Sequence, residues 1–262
     1  MADKPMPTGF GTFCWSQLNA SDAAACEPFY LSLFGWSADH KDLGGLPMTL
    51  FKRGADEMGT LMQIPPMASG TPRSHWMGYV WVQDLDATFA RAKELGAAPF
   101  VPPTTVPEAG RFAVIGDPGG AVLGLFEEAP RPGPSRPMPT GHGAFCWYEL
   151  TTREVAASIA FYTQLFGWTT REWPMDFGIY TLFLRGEEAV AGLMPMAGPE
   201  WEGIPNHWMP YVGVNDVDER FAAVPGLGGT GCVPPTDIPE VGRFAVIADP
   251  TGGVISLMRG LD

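Results

Sequence analysis

Phe29-Tyr30-Leu31-Ser32-Leu33-Phe34-Gly35-Trp36 has a counterpart 132 residues further on, Phe161-Tyr162-Thr163-Gln164-Leu165-Phe166-Gly167-Trp168. The same offset brings Phe13-Cys14-Trp15 onto Phe145-Cys146-Trp147 and His75-Trp76-Met77 onto His207-Trp208-Met209. It also brings the GRFAVI run Gly110–Ile115 onto Gly242–Ile247. The match runs without insertion, so the chain is a tandem repeat and each copy must build the same structure. Between the copies, Ala129-Pro130-Arg131-Pro132-Gly133-Pro134-Ser135-Arg136-Pro137 spaces its prolines so that neither helix nor paired strand persists. The reading is therefore a domain over 1–130, a Pro-rich linker over 131–136, and a second domain over 137–262.

Each copy carries one order of elements. A strand over Phe10–Leu18 or His142–Leu150 opens it, and a helix over Ser21–Phe34 or Thr152–Phe166 follows. A capping serine is expected to start that helix in the first copy, and Gly35 or Gly167 ends it. Short β-rich runs come next, Met48–Arg53 and Met58–Ile64, with Ile179–Arg185 and Val190–Met194 in the second copy. A further strand, Met77–Gln83 or Met209–Asn215, leads into a helix starting at Asp84 or Asp216 and ending near Leu95-Gly96 or Leu227-Gly228. The copy closes on a hairpin turning through Asp117-Pro118-Gly119-Gly120 or Asp249-Pro250-Thr251-Gly252. Each copy thus holds two βαβββ units.

Composition narrows the partners. The chain has 262 residues, 45% of them hydrophobic, and a net charge of −13. Such acidity argues against nucleic acid, whose phosphates need a basic face, and against an anionic membrane surface. No apolar run is long enough to span a bilayer. The start, Met1-Ala2-Asp3-Lys4-Pro5, lacks an apolar core behind basic residues and predicts no secretory signal. Four cysteines without CxxC spacing predict neither a disulfide framework nor a metal knuckle, and the expected compartment is the cytoplasm. The two copies carry similar acidic charge, so they are expected to meet through apolar surface.

The motifs Phe29-Tyr30…Leu33-Phe34-Gly35, Val82-Gln83-Asp84 before a helix, and the Asp-Pro-x-Gly hairpin, all repeated in the second copy, resemble the vicinal oxygen chelate superfamily. That superfamily includes glyoxalase I, bleomycin-resistance proteins and extradiol dioxygenases. The resemblance covers nearly the whole chain and implies an α+β fold of two tandem domains, with curved mixed sheets forming partly open barrels around a cleft. It does not say whether the units pair within a copy or across the linker. A tandem chain would match a family homodimer in one polypeptide, so the expected state is monomer or homodimer.

The resemblance also implies a divalent metal on a His, a Glu, a His and a Glu in each domain. Carried over residue by residue, these positions fall on Trp15, Thr60, Met77 and Gly124, and on Trp147, Gly192, Met209 and Ser256. None is a His or a carboxylate, so no metal and no cofactor is expected.

Other residues could still carry chemistry. Strand alternation places Trp15, Gln17, Met62, Met77 and Tyr79 on one inner face, and Trp147, Glu149, Met194, Met209 and Tyr211 on its counterpart. These form either an apolar, aromatic ligand cavity or a set of side chains that fill the space themselves. His75, His207 and Glu149 are the candidate catalytic groups, as general base or polar anchor. Against this, each His could simply bond a loop carbonyl where its strand begins, and Glu149 could be an exposed strand end. His40 reads as a solvent-exposed loop residue. Arg111 and Arg243, three residues after Glu108 and Glu240, read as a structural ion pair or loop tether, with substrate carboxylate binding as the alternative.

Three functions follow. The first is a metal-free binder of a small, partly aromatic molecule. The second is a lyase, isomerase or oxygenase with a non-standard or absent metal site. The third is a regulatory protein with a filled cleft.

Overall fold

The computed structural model describes residues 8–42, 45–65, 73–130, 138–175 and 178–261; the expected linker 131–136 lies outside them. In the first half the elements are β1 (Phe13–Ala20), α1 (Ala23–Phe34), β2 (Ser37–Asp42), β3 (Pro47–Arg53), β4 (Asp56–Gln63), β5 (His75–Trp81), α2 (Leu85–Glu94), β6 (Ala98–Val106), β7 (Gly110–Gly116) and β8 (Val122–Glu128). The second half repeats them as β9 (Phe145–Thr152), α3 (Val155–Phe166), β10 (Thr169–Met175), β11 (Gly178–Arg185), β12 (Glu188–Pro195), β13 (His207–Gly213), α4 (Val217–Ala223), β14 (Thr230–Ile238), β15 (Gly242–Ala248) and β16 (Val254–Gly260).

The units pair within each half. One eight-stranded sheet runs β2-β3-β4-β1-β5-β8-β7-β6, and the other runs β10-β11-β12-β9-β13-β16-β15-β14. The two units of a half meet at an antiparallel pair, β1 with β5 or β9 with β13, whereas β1–β4 and β5–β8 run parallel. Both sheets are therefore mixed and open at their edges, as an α+β fold of βαβββ units requires.

Local chemistry places the helices. The N-cap of α1 is Asp22, which accepts from Ala25 N, rather than Ser21, which instead bonds Ser74. Asp84 and Asp216 cap α2 and α4 as expected. Gly35 and Gly167 end α1 and α3 at φ 67° and 69°, a left-handed conformation that costs a glycine little. The helix α4 stops at Ala223, because Pro225 cannot continue it, and a single 3-10 turn over Pro225–Leu227 then carries the segment to its expected end at Gly228.

Four strands escape the hydrophobic pattern, namely β2, β10, β6 and β14. All are sheet edges, polar or proline-bearing, where one side of the strand needs no hydrogen-bonded neighbour. His40 is consequently a strand residue, paired opposite Thr49 and bonded to Glu27 at 2.9 Å.

The convex faces of the two sheets pack on each other through a single core drawn from both halves. Phe13 stacks on Tyr148 with centroids 3.8 Å apart, and the Tyr148 hydroxyl bonds Ser16 Oγ at 2.6 Å. The helices are wedged into the same seam. Tyr30 donates to Asp249 Oδ2 at 2.9 Å and accepts from Trp76 Nε1 at 2.8 Å. Its counterpart Tyr162 does the same with Asp117 and Trp208, at 3.0 and 2.8 Å. The tryptophan of each Phe-Gly-Trp motif also crosses over. Trp36 Nε1 donates to Gly143 O, and Trp168 Nε1 to Gly11 O. The expected apolar meeting of the halves is thus a hydrophobic seam threaded by paired polar bonds.

Because Tyr30 satisfies two buried partners at once, Tyr30→Phe strands Trp76 Nε1 and an Asp249 oxygen. We expect a loss of about 1–3 kcal/mol, with a similar loss for Tyr162→Phe. The urea midpoint measures both, and an unchanged midpoint would show that the seam does not depend on these bonds.

Candidate functional site

With the convex faces buried, each sheet presents its concave face away from the seam. The register sets what lies there. In the first half Gln17 stands opposite both Thr60 and Met77, Trp15 opposite Tyr79, and Tyr79 beside Gly124. In the second half Glu149 stands opposite Gly192 and Met209, Trp147 opposite Tyr211, and Tyr211 beside Ser256. The residues Trp15, Gln17, Met77 and Tyr79, and Trp147, Glu149, Met209 and Tyr211, are therefore brought together as alternation requires. Met62 and Met194 sit one pleat further along, beside Asn19 and Thr151. Each face also carries its own apolar cluster, around Met77, Tyr79 and Val114 in one half and Trp147, Met209, Tyr211 and Met258 in the other.

The polar groups on the two faces differ. In the first half they form a directional chain. Tyr79 donates to Gln17 Oε1 at 3.2 Å, Gln17 to Asn19 Oδ1 at 2.7 Å, and Asn19 to His75 Nε2 at 3.3 Å. His75 Nδ1 then donates to Arg73 O at 3.0 Å. In the second half the polar groups converge on Glu149, which is only 5% exposed. Tyr180 donates to one carboxylate oxygen and Tyr211 to the other, both at 2.9 Å, and Trp147 Nε1 donates to the Tyr180 hydroxyl at 3.0 Å. Glu149 is thus no exposed strand end. Desolvation pushes its carboxyl up to about 7, against the two tyrosine bonds that favour the charged form. Its proton is therefore exchangeable near neutral pH.

Tyr180 is the site residue that strand-pattern reading missed. It precedes the buried run of β11 and its copy-one equivalent is Met48, so the repeat does not flag it. A signal existed in Gly192. A Cβ there would lie 1.8 Å from the Tyr180 hydroxyl, so the glycine makes room for the ring. Gly124 does the same for Tyr79, whose ring carbon would lie 2.2 Å from a Cβ.

This bears directly on a metal. Of the positions that correspond to the family's ligands, Trp15 donates to Thr60, Trp147 donates to Tyr180, and Ser256 donates to Ala245 O. The two glycine positions lie under tyrosine rings, and Met77 and Met209 offer only thioethers. A hard divalent ion needs imidazole or carboxylate donors, and among the described residues no cluster of three or more His, Cys, Asp or Glu could hold one. The residues present do not fit the family metal.

The remaining candidates fall elsewhere. Arg111 pairs with Asp86 at 2.7 Å, and Arg243 with Asp218 and Asp237 at 2.7 and 2.8 Å, rather than with Glu108 or Glu240. These arginines pin the final hairpin to the first turn of α2 or α4. His142 accepts a bond from Asn215 N. The four cysteines are unbridged, and burial raises the thiols of Cys14 and Cys26 far from nucleophilic range.

Two open, eight-stranded mixed sheets built from paired βαβββ units define a vicinal oxygen chelate fold. The chain belongs to the glyoxalase/bleomycin resistance protein/dioxygenase superfamily. The model of that superfamily matches residues 144–257, and a glyoxalase-like domain model matches 15–126. The chain is 32% identical over 252 residues to CFP32 of Mycobacterium tuberculosis strain CDC 1551, a protein provisionally assigned as a glyoxylase, covering 95% of each. It is 36% identical over 129 residues to the anthracycline biosynthesis protein DauV of Streptomyces sp. strain C5, spanning 45% of this chain and 47% of that one. The Mn(II)-bound glyoxalase from Novosphingobium aromaticivorans shares the fold with TM-score 0.65 at 15% identity, over 97% of this chain and 84% of the other. The 2,3-dioxygenase LapB from Pseudomonas sp. KL28 shares it with TM-score 0.64 at 15% identity, over 97% and 94%.

The raised carboxyl of Glu149 has a stability signature. A folded-state value of about 7 against an ordinary 4.5 means the folded protein holds the proton more tightly than the unfolded chain. Its contribution is complete below pH 4.5 and is lost as pH rises through 7, on the order of 3 kcal/mol in all. Glu149→Gln should therefore flatten the stability difference between pH 4.5 and 7.5 relative to the parent, measured by denaturant unfolding across that range. Parallel pH profiles for the two proteins would refute the assignment.

Proposed function

We propose that the chain is a metal-independent small-molecule binding protein whose concave faces take a small, partly aromatic ligand. The observation that carries this is the donor set. The positions that would hold the superfamily metal bear aromatic, thioether and hydroxyl groups or glycine, with a buried carboxylate at the centre of the second face. Trp147, Met209 and Tyr211, buried against one another with Tyr180 beside them, would supply flat, polarisable contacts to a ligand that opens this cluster, while Glu149 supplies a polar anchor that can take or give a proton near neutrality. Trp15, Gln17, Met62, Met77 and Tyr79 line the corresponding face of the first half, where an amide replaces the carboxylate. The name of DauV, which belongs to anthracycline biosynthesis, supports a polycyclic aromatic ligand class.

In this reading the domains are 1–130 and 137–262, joined by the linker 131–136. The protein acts as a monomer or homodimer, because both convex faces are already covered within one chain. No cofactor enters this reading. Unbridged cysteines suit a cytoplasmic location. A second reading, proton transfer catalysed by Glu149 in a lyase or isomerase, is favoured by the value of about 7 for its carboxyl.

The test is titration with an anthracycline, followed by quenching of tryptophan fluorescence and by calorimetry. Trp147→Ala should weaken binding by the second half at least about tenfold, while Trp147→Phe, which keeps an aromatic face, should retain most of it. Far-UV and near-UV circular dichroism establish that each variant is folded. Unchanged affinity in folded Trp147→Ala would remove the second concave face as the site. Bound Zn, Ni, Mn or Fe near one equivalent per cleft would overturn metal independence.

A further inference from the structure

The two halves differ at one more pair of positions, one pleat beyond Glu149. In the first half Asn19 joins Gln17 to His75 and every polar group in that row has a partner. In the second half Thr151 replaces Asn19, opposite His207 on β13. Thr151 is fully buried, and its hydroxyl has no hydrogen-bond partner among the described residues. A buried hydroxyl left unpaired is costly, and native structures retain few of them.

His207 repeats the anchoring of His75. Its Nδ1 donates to Pro205 O at 2.8 Å, as His75 Nδ1 donates to Arg73 O. With the proton held on Nδ1, the neutral ring presents Nε2 as an acceptor, toward the row that Asn19 reaches in the first half. Burial lowers the tendency of His207 to take a second proton, so that acceptor persists at neutral pH. Thr151 is too short to reproduce the asparagine bridge. Side by side in one row stand a carboxylate, a hydroxyl and an imidazole lone pair, of which, among the described residues, only the carboxylate is bonded to other side chains.

We infer that Glu149, Thr151 and His207 form a polar subsite that receives a phenolic hydroxyl of the bound ligand. The ligand O–H donates to His207 Nε2, and Thr151 Oγ1 donates to the ligand oxygen. The aromatic remainder lies against Trp147 and Met209. The inference rests on the reading of this face as a ligand cleft and adds the functional group that it selects. The first half, with its row closed by Asn19, lacks this selectivity.

The experiment uses 2-naphthol and 2-methoxynaphthalene as probes, titrated by calorimetry against the full chain, Thr151→Val and His207→Phe. The parent should bind 2-naphthol about tenfold tighter than its methyl ether. Both variants should lose that difference while keeping their affinity for the ether. Thr151→Val should also melt at a higher temperature than the parent, since it removes an unpaired hydroxyl at nearly constant volume. Equal affinities of the parent for the two probes would overturn the subsite while leaving the cleft standing. Failure of both probes to bind would overturn the cleft reading and this inference with it. A lower melting temperature for Thr151→Val would show that the hydroxyl is already bonded in the free protein, and would also overturn the subsite.

Discussion

The stacking of Phe13 on Tyr148, with Tyr148 bonded to Ser16, lies at the centre of a seam on which the rest of the molecule depends. A curved eight-stranded sheet has two faces, and a chain of this size cannot leave both in water. Here the convex faces cover each other, and the helices pack into the same seam rather than across the concave faces. The buried tyrosines Tyr30 and Tyr162 donate their hydroxyl protons to aspartates from the opposite half, Asp249 and Asp117. Each half therefore completes the polar bookkeeping of the other. The concave faces are free to differ because neither bears on that seam.

They have differed. From one repeated scaffold, the first half carries a row of side chains without a carboxylate, Tyr79, Gln17, Asn19 and His75, bonded in one direction. The second half concentrates its polarity on one buried carboxylate. A few replacements account for this: Gln17 against Glu149, Thr60 against Gly192, Met48 against Tyr180 and Asn19 against Thr151. Gly192 is the permissive one, since any side chain there would displace the tyrosine that bonds Glu149. At Gly124 and Gly192 tyrosine rings lie down on the sheet, where a side chain would exclude them.

Much of this was legible in the residue order. The ungapped repeat, the Phe-Gly-Trp motifs, the Asp N-caps of α2 and α4 and the Asp-Pro-x-Gly turns all report local geometry, which nearby residues determine. Alternation along β1, β5, β9 and β13 put Trp15, Gln17, Met77, Tyr79 and their counterparts on one face, because side-chain direction has a period of two. The edge strands β2, β6, β10 and β14 were not legible. An edge strand meets solvent on one side and needs no apolar alternation, and prolines there forfeit no ladder bond. Tyr180 was hidden for a related reason, since its partner Glu149 is distant in sequence and its counterpart is a methionine.

The sequence alone determined that two copies of the same run of βαβββ units would form, and, through its resemblance to the superfamily, that the positions corresponding to the metal ligands carry no imidazole or carboxylate. Both follow from residue identity at positions that local pattern can number. Tertiary structure alone decided that the units pair within each half, that the convex faces are the ones buried, and that Glu149 lies beneath two tyrosine hydroxyls. Only tertiary structure, too, left the Thr151 hydroxyl buried without a partner among the described residues, across from His207. These depend on which strands become neighbours and on how far each side chain reaches across them, and a linear pattern contains neither distance.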